Sequence, residues 1–99
     1  MKTAILGALF IGLGATSAWA ASNAPVVNIY KSPTCGCCTK WDEYMTKNGF
    51  RVEAKNVADV SAYRSRNGMP ARLASCHTAT VGGYAIEGHV PAREVHRLL

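Results

Sequence analysis

The chain has 99 residues, 48% of them hydrophobic, and a formal charge of +5 from 11 Lys and Arg against 6 Asp and Glu. A chain this short makes one small domain with a modest core, a size class that often adds a disulfide or a metal to hydrophobic burial. The basic residues are scattered without a run and no aromatic-interleaved basic patch accompanies them, which argues against nucleic acid as a partner.

Residues 1–20 have the three parts of a secretory signal: Lys2, an apolar stretch from Ala4 to Ala15, and Ala18-Trp19-Ala20 as an A-x-A cleavage site. The stretch is shorter than the roughly 20 residues a membrane span needs, and no charged stop-transfer segment follows it. The expectation is cleavage, with a single domain from Ala21 to Leu99 that is periplasmic or secreted and has no membrane attachment afterwards. Export places all four cysteines where disulfides persist. Three of them nevertheless crowd into Cys35-Gly36-Cys37-Cys38, and neighbours such as Cys37 and Cys38 do not bridge without distorting the backbone. The cluster reads as chemistry rather than stapling.

Val26 to Tyr30 is an apolar, β-branched run suited to a central strand buried on both faces, and Ser32-Pro33-Thr34 breaks it. Beyond the cysteines, Trp41, Tyr44 and Met45 at i, i+3 and i+4 mark one buried helical face, which Asn48-Gly49 ends. Phe50 to Val57 alternates as a half-exposed edge strand. Asp59 caps a short helix carrying Val60 and Tyr63, closed by Asn67-Gly68-Met69-Pro70. Thr78–Val81 and Tyr84–Val90 flank Gly82-Gly83 as a hairpin. Pro91 opens a last helix with Val95, Leu98 and Leu99 on one face.

The order βαβαββα, with a C-x-x-C-type motif between first strand and first helix, predicts a thioredoxin-like, glutaredoxin-type α/β domain with a four-stranded mixed sheet. In that arrangement the third strand runs antiparallel beside the first. The start of the third strand then lies next to the end of the first, which brings Cys76 and His77 towards Cys35, Cys37 and Cys38.

Cysteines at a helix N-terminus meet unpaired N–H groups and the positive end of the dipole, which favour thiolate. Cys35 and Cys38 have the spacing for thiol–disulfide exchange, with Cys35 attacking and Cys38 resolving. Cys37 is a spare thiol that would short-circuit such exchange, and points instead to metal. Clustered thiolates with an imidazole, and a thioether from Met69 nearby, form a soft donor set for Cu(I), with Zn(II) the main competitor. The close spacing suits thiolates that bridge several copper ions better than one closed zinc site. Three readings stay open: copper binding, thiol–disulfide exchange, and a structural zinc domain. Among the histidines, His77 is a candidate ligand beside Cys76 that alternatively faces the core. His89, beside Pro91, either approaches the site or caps the hairpin's far end, the second being preferred, and His96 is placed in solvent. Lys31 and Lys40 flank the thiols.

The stretch Tyr30-Lys31-Ser32-Pro33-Thr34-Cys35-Gly36-Cys37-Cys38 with Trp41, then Ser75-Cys76-His77-Thr78, and Gly83-Tyr84 through Glu87-Gly88-His89-Val90-Pro91-Ala92, resembles the exported copper-resistance proteins of the CopG family. The resemblance implies a thioredoxin-like fold in the bacterial periplasm, with Cys35, Cys37, Cys38 and Cys76 bridging a copper cluster. It also implies redox chemistry on copper and leaves open other periplasmic copper-handling proteins as partners.

Overall fold

The structure, a computed structural model, describes residues 23–99. The expected leader, 1–20, lies outside the described residues. The elements are β1 (Val26–Lys31), α1 (Gly36–Lys47), β2 (Arg51–Asn56), α2 (Val60–Arg66), β3 (His77–Val81), β4 (Tyr84–Glu87) and α3 (Ala92–Leu98), with a 3₁₀ turn at Ala71–Leu73. The sheet order is β2-β1-β3-β4, with β2 parallel to β1 and the other two pairings antiparallel. This is the small mixed-sheet α/β domain expected from the element order, and it is compatible with a thioredoxin-like arrangement. Among the described residues no helix is long and apolar enough to cross a membrane.

Local chemistry sets the boundaries. The Asp59 side chain accepts from the Ala62 N–H at 3.3 Å, capping α2. Gly82 and Gly83 have φ of +54° and +83° and close the β3–β4 hairpin, a conformation that side chains with a Cβ resist. Gly88 has φ of +74° and turns the chain away from the ladder. For that reason β4 ends at Glu87 rather than continuing to Val90. Pro91 stands just before α3 as its cap residue rather than inside the first turn, and its carbonyl accepts from Glu94 and Val95.

The core lies between one sheet face and helices α1 and α3. Val27, Ile29, Ala79, Val81 and Ile86 from the sheet meet Trp41, Met45, Phe50, Ala92 and Val95. Fully burying a side chain such as Ile29 or Met45 contributes about 1.5–3 kcal/mol.

Three packing expectations need correction. β1 is not buried on both faces: Val27 and Ile29 are buried, while Asn28 and Tyr30 on the other face are only half covered, Tyr30 by its stack on Tyr63 of α2. Tyr44 is exposed along the groove beside Lys40 and Pro91, although its hydroxyl accepts the Ala92 N–H at 2.8 Å. Leu98 and Leu99 are exposed because α3 is two turns long and only Ala92 and Val95 reach the core. His96, expected in solvent, is exposed but stacks on Phe50 and donates from Nε2 to the Asn48 carbonyl at 2.8 Å.

Candidate metal centre

The Ser32-Pro33-Thr34 break turns the chain so that the Cys35 N–H donates to the Ser32 carbonyl at 3.2 Å, and Cys35 becomes the cap residue of α1. Cys38 lies one helical turn on, with its Cα 5.4 Å from that of Cys35, and the two form a disulfide. Not all of the sequence's four candidate thiols are therefore free. A C-x-x-C pair on the first turn of a helix satisfies the distance requirement that adjacent Cys37 and Cys38 fail. Cys38 is fully buried, whereas Cys37 and Cys76 are free and exposed.

Cys76 arrives through the sheet. Lys31, the last residue of β1, pairs with His77, the first of β3, so the residue before β3 sits over the start of α1. Cys37 Sγ lies 3.5 Å from both Cys35 Sγ and Cys76 Sγ. All four sulfur atoms fall within 4.8 Å of one another. This is the convergence that the strand order predicts.

Two residues not assigned to the site from the sequence hold Cys76 in place. Arg64 of α2 pairs with Glu87 of β4 at 2.8 Å, both almost fully buried. Arg64 also donates to the Ser75 carbonyl at 2.8 Å, while Glu87 accepts the Ser75 N–H at 2.6 Å. Both backbone groups of the residue before Cys76 are thus fixed by one buried ion pair. A hint of this lay in a charged residue on an otherwise strand-like run, Tyr84–Val90, but its partner is 23 positions away.

His77 shares the core face with Ile29 and Ala79, is fully buried, and stacks on Trp41 at 4.7 Å. Its Nε2 donates to the Gly88 carbonyl at 3.0 Å, which assigns the proton to Nε2 and leaves the Nδ1 lone pair free. Nδ1 is 4.0 Å from Cys76 Sγ. Burial holds the His77 pKa below its usual value, against the Gly88 bond that raises it, and His89 lowers it further. His89 is not at the hairpin's far end. Its Nε2 lies 4.0 Å from Cys76 Sγ and its ring stacks on His77, because the Gly88 turn folds residue 89 back over the site. Met69 is elsewhere, lining a separate cavity of about 200 Å³ with Arg64 and Ala74.

At Cys37 the balance runs against the thiolate expectation. The Cys37 pKa is raised, first by the hydrogen bond to Cys76, then by partial desolvation and the neighbouring charge of Cys76. The backbone N–H groups of Cys37 and Cys38 act in the lowering direction but do not prevail. Lys31, whose ammonium donates to Thr39 Oγ1 at 3.2 Å, is not among the groups that shift the Cys37 thiol. Lys40 lies with Cys37, Trp41, Tyr44, His89 and Pro91 along an apolar groove of about 370 Å³ beside the thiols.

Two solved structures described as copper resistance protein CopG, in forms 2 and 1, match with 39% sequence identity and TM-scores of 0.73 and 0.72, over 76% of this chain. In sequence and fold the chain is similar to these CopG structures. It spans 60% of the length of those CopG structures. A family model described as a protein of unknown function, DUF411, matches residues 73–99, the part of the chain that carries Cys76, His77 and His89. A search of curated protein sequences finds no match.

Proposed function

We propose that the reduced chain binds Cu(I) through Cys35, Cys37, Cys38 and Cys76 as a thiolate-bridged, multinuclear cluster, with His77 beside it, and serves copper resistance in the periplasm. The observation that carries this is the grouping of four sulfur atoms from two distant segments within 4.8 Å. Soft thiolates select Cu(I), and sulfurs this close suit bridging. The names of the CopG structures point the same way. The Cys35–Cys38 disulfide must first be reduced by a two-electron thiol reductant, which leaves as its own disulfide while Cys35 and Cys38 become thiols. Cycling copper between Cu(I) and Cu(II), and handing it to other periplasmic copper proteins, are further parts of this reading.

Anaerobic titration of the reduced protein tests it: more than one Cu(I) held tightly per chain is expected, with fewer in Cys76→Ser. Unchanged loading in that variant would exclude the four-sulfur site. The same titration separates copper from structural zinc, for which a single Zn(II) and unfolding on chelation are expected.

The disulfide favours a second reading, thiol–disulfide exchange. Cys38 is buried, so an incoming thiolate reaches only Cys35 and displaces Cys38. Cys37, 3.5 Å from Cys35, competes for any mixed disulfide and makes such exchange inefficient. Disulfide reduction by the metal-free protein that disappears in Cys35→Ser is the result that would favour this reading.

A further inference from the structure

The disulfide state of the chain removes two sulfurs from metal chemistry but leaves a second donor group untouched. Cys76 Sγ and donor nitrogens of His77 and His89 lie within 4.8 Å of one another, and neither histidine belongs to the cysteine cluster. We propose that, with Cys35 and Cys38 bridged, Cys76, His77 Nδ1 and His89 Nε2, joined by Cys37, form a mononuclear site for one borderline divalent ion of the Zn(II) class.

Three observations carry this. The first is spacing. A tetrahedral ion with bonds of about 2.3 Å to sulfur and about 2.0–2.1 Å to nitrogen sets neighbouring donors about 3.3–3.8 Å apart. The sulfur–sulfur gap between Cys37 and Cys76 is 3.5 Å, and the gaps from Cys76 to His77 Nδ1 and to His89 Nε2 are each 4.0 Å. Each contact to Cys76 is within a few tenths of an ångström of that range. The closure required falls on the exposed side chains of His89 and Cys37, the latter outside the three-residue donor group.

The second is preorganisation. The Gly88 carbonyl takes the Nε2 proton of His77, so the lone pair on Nδ1 already faces Cys76, and the Trp41 stack fixes the ring plane. A histidine ligand whose other nitrogen is bonded to a backbone carbonyl is the usual arrangement at metal sites. Here the anchor, Gly88, adjoins the ligand His89. The Arg64–Glu87 pair fixes Ser75, and with it the backbone entering Cys76. Two of the four donors, His77 and Cys76, therefore need little ordering on binding.

The third is donor chemistry. Two thiolates and two imidazoles form a set of intermediate softness that suits tetrahedral Zn(II), while four crowded sulfurs suit Cu(I). Closing the Cys35–Cys38 bond thus changes the preferred ion at one end of the sheet from a soft monovalent to a borderline divalent one. This inference does not rest on the Cu(I) reading, since it concerns the oxidised chain and uses His89, which that reading leaves aside.

The test uses the full chain purified with its disulfide intact and two free thiols verified by thiol counting, titrated anaerobically with Co(II) as a spectroscopic stand-in for Zn(II). One Co(II) per chain is expected, with thiolate-to-metal charge-transfer absorption and the intense visible bands of a tetrahedral site. Zn(II) should displace it stoichiometrically. His89→Ala should weaken binding at least tenfold while its reduced form still loads Cu(I) as the parent does. Cys37→Ala should keep one Co(II) but halve the charge-transfer intensity. Absence of charge-transfer absorption in the parent oxidised chain, or an unchanged titration in His89→Ala with native near-UV circular dichroism, would overturn the proposal. Neither outcome would touch the Cu(I) reading, which is measured on the reduced chain.

Discussion

Arg64 and Glu87, 23 residues apart, form a nearly fully buried ion pair at 2.8 Å whose members grip the carbonyl and the N–H of Ser75. Removing one partner strands the other charge in the interior. Arg64→Met is expected to lower stability by about 3–5 kcal/mol in urea denaturation, in line with broken buried pairs. Arg64→Lys should recover only part of this, because an ammonium lacks the fork that spans Glu87 and Ser75. A loss below about 1 kcal/mol in Arg64→Met would show that the pair does not anchor the approach to Cys76.

His77 supplies a pH dependence. Its folded-state pKa is depressed, chiefly by burial, so the unfolded chain binds more protons as pH falls through 6.5, the unperturbed value. Stability of the metal-free, disulfide-bonded protein should therefore fall as pH drops through 6.5, by up to about 1.4 kcal/mol per pH unit from this group. His89, Glu87 and Lys31 face the same ring and contribute to its titration. His77→Phe keeps the stack on Trp41 and should flatten the profile. An equally steep profile in that variant would assign the dependence to another group.

Reduction of the Cys35–Cys38 bond should destabilise the domain modestly. The bridge closes a loop of sequence separation 3, and short loops restrict the unfolded chain by only about 2 kcal/mol. Dithiol treatment of the metal-free protein should lower the unfolding free energy by about that amount, read as a lower urea midpoint, and anaerobic Cu(I) should restore it by binding the native state. Failure of Cu(I) to raise the midpoint would count against thiolate binding in the folded chain.

Gly88 and Gly83 separate backbone strain from crowding. Both have positive φ, so alanine at either costs about 1–2 kcal/mol. A Cβ at Gly88 would also meet Ser75 Oγ at 3.0 Å and Cβ at 3.2 Å, whereas one at Gly83 meets nothing within 4 Å. Gly88→Ala is expected to cost more than Gly83→Ala and to lower metal uptake, since it pushes on the residue before Cys76. Equal losses in thermal denaturation would mean that Ser75 yields freely.

Wherever structure is dictated locally, the chain was legible residue by residue. The Asp59 cap, the Gly82-Gly83 hairpin and the Trp41 and Met45 face follow from side-chain and backbone chemistry within a few positions. The convergence of Cys76 on the first cysteine motif was also legible, because strand order constrains which ends adjoin. Burial of Tyr44, Leu98 and Leu99 was over-read, since hydrophobic spacing names a face but not how far a neighbouring element covers it.

The cysteine types and their C-G-C-C spacing by themselves determined that sulfur chemistry gathers at the start of α1. Only the tertiary structure decided how that sulfur is divided: Cys38 inside and bridged to Cys35, Cys37 and Cys76 outside and free. It likewise decided that His89 faces Cys76 and that Arg64 reaches Glu87. Spacing encodes contacts within a turn or a strand pair. Contacts between α2, β4 and the loop after Gly88 depend on how whole elements pack, and no local pattern carries that information.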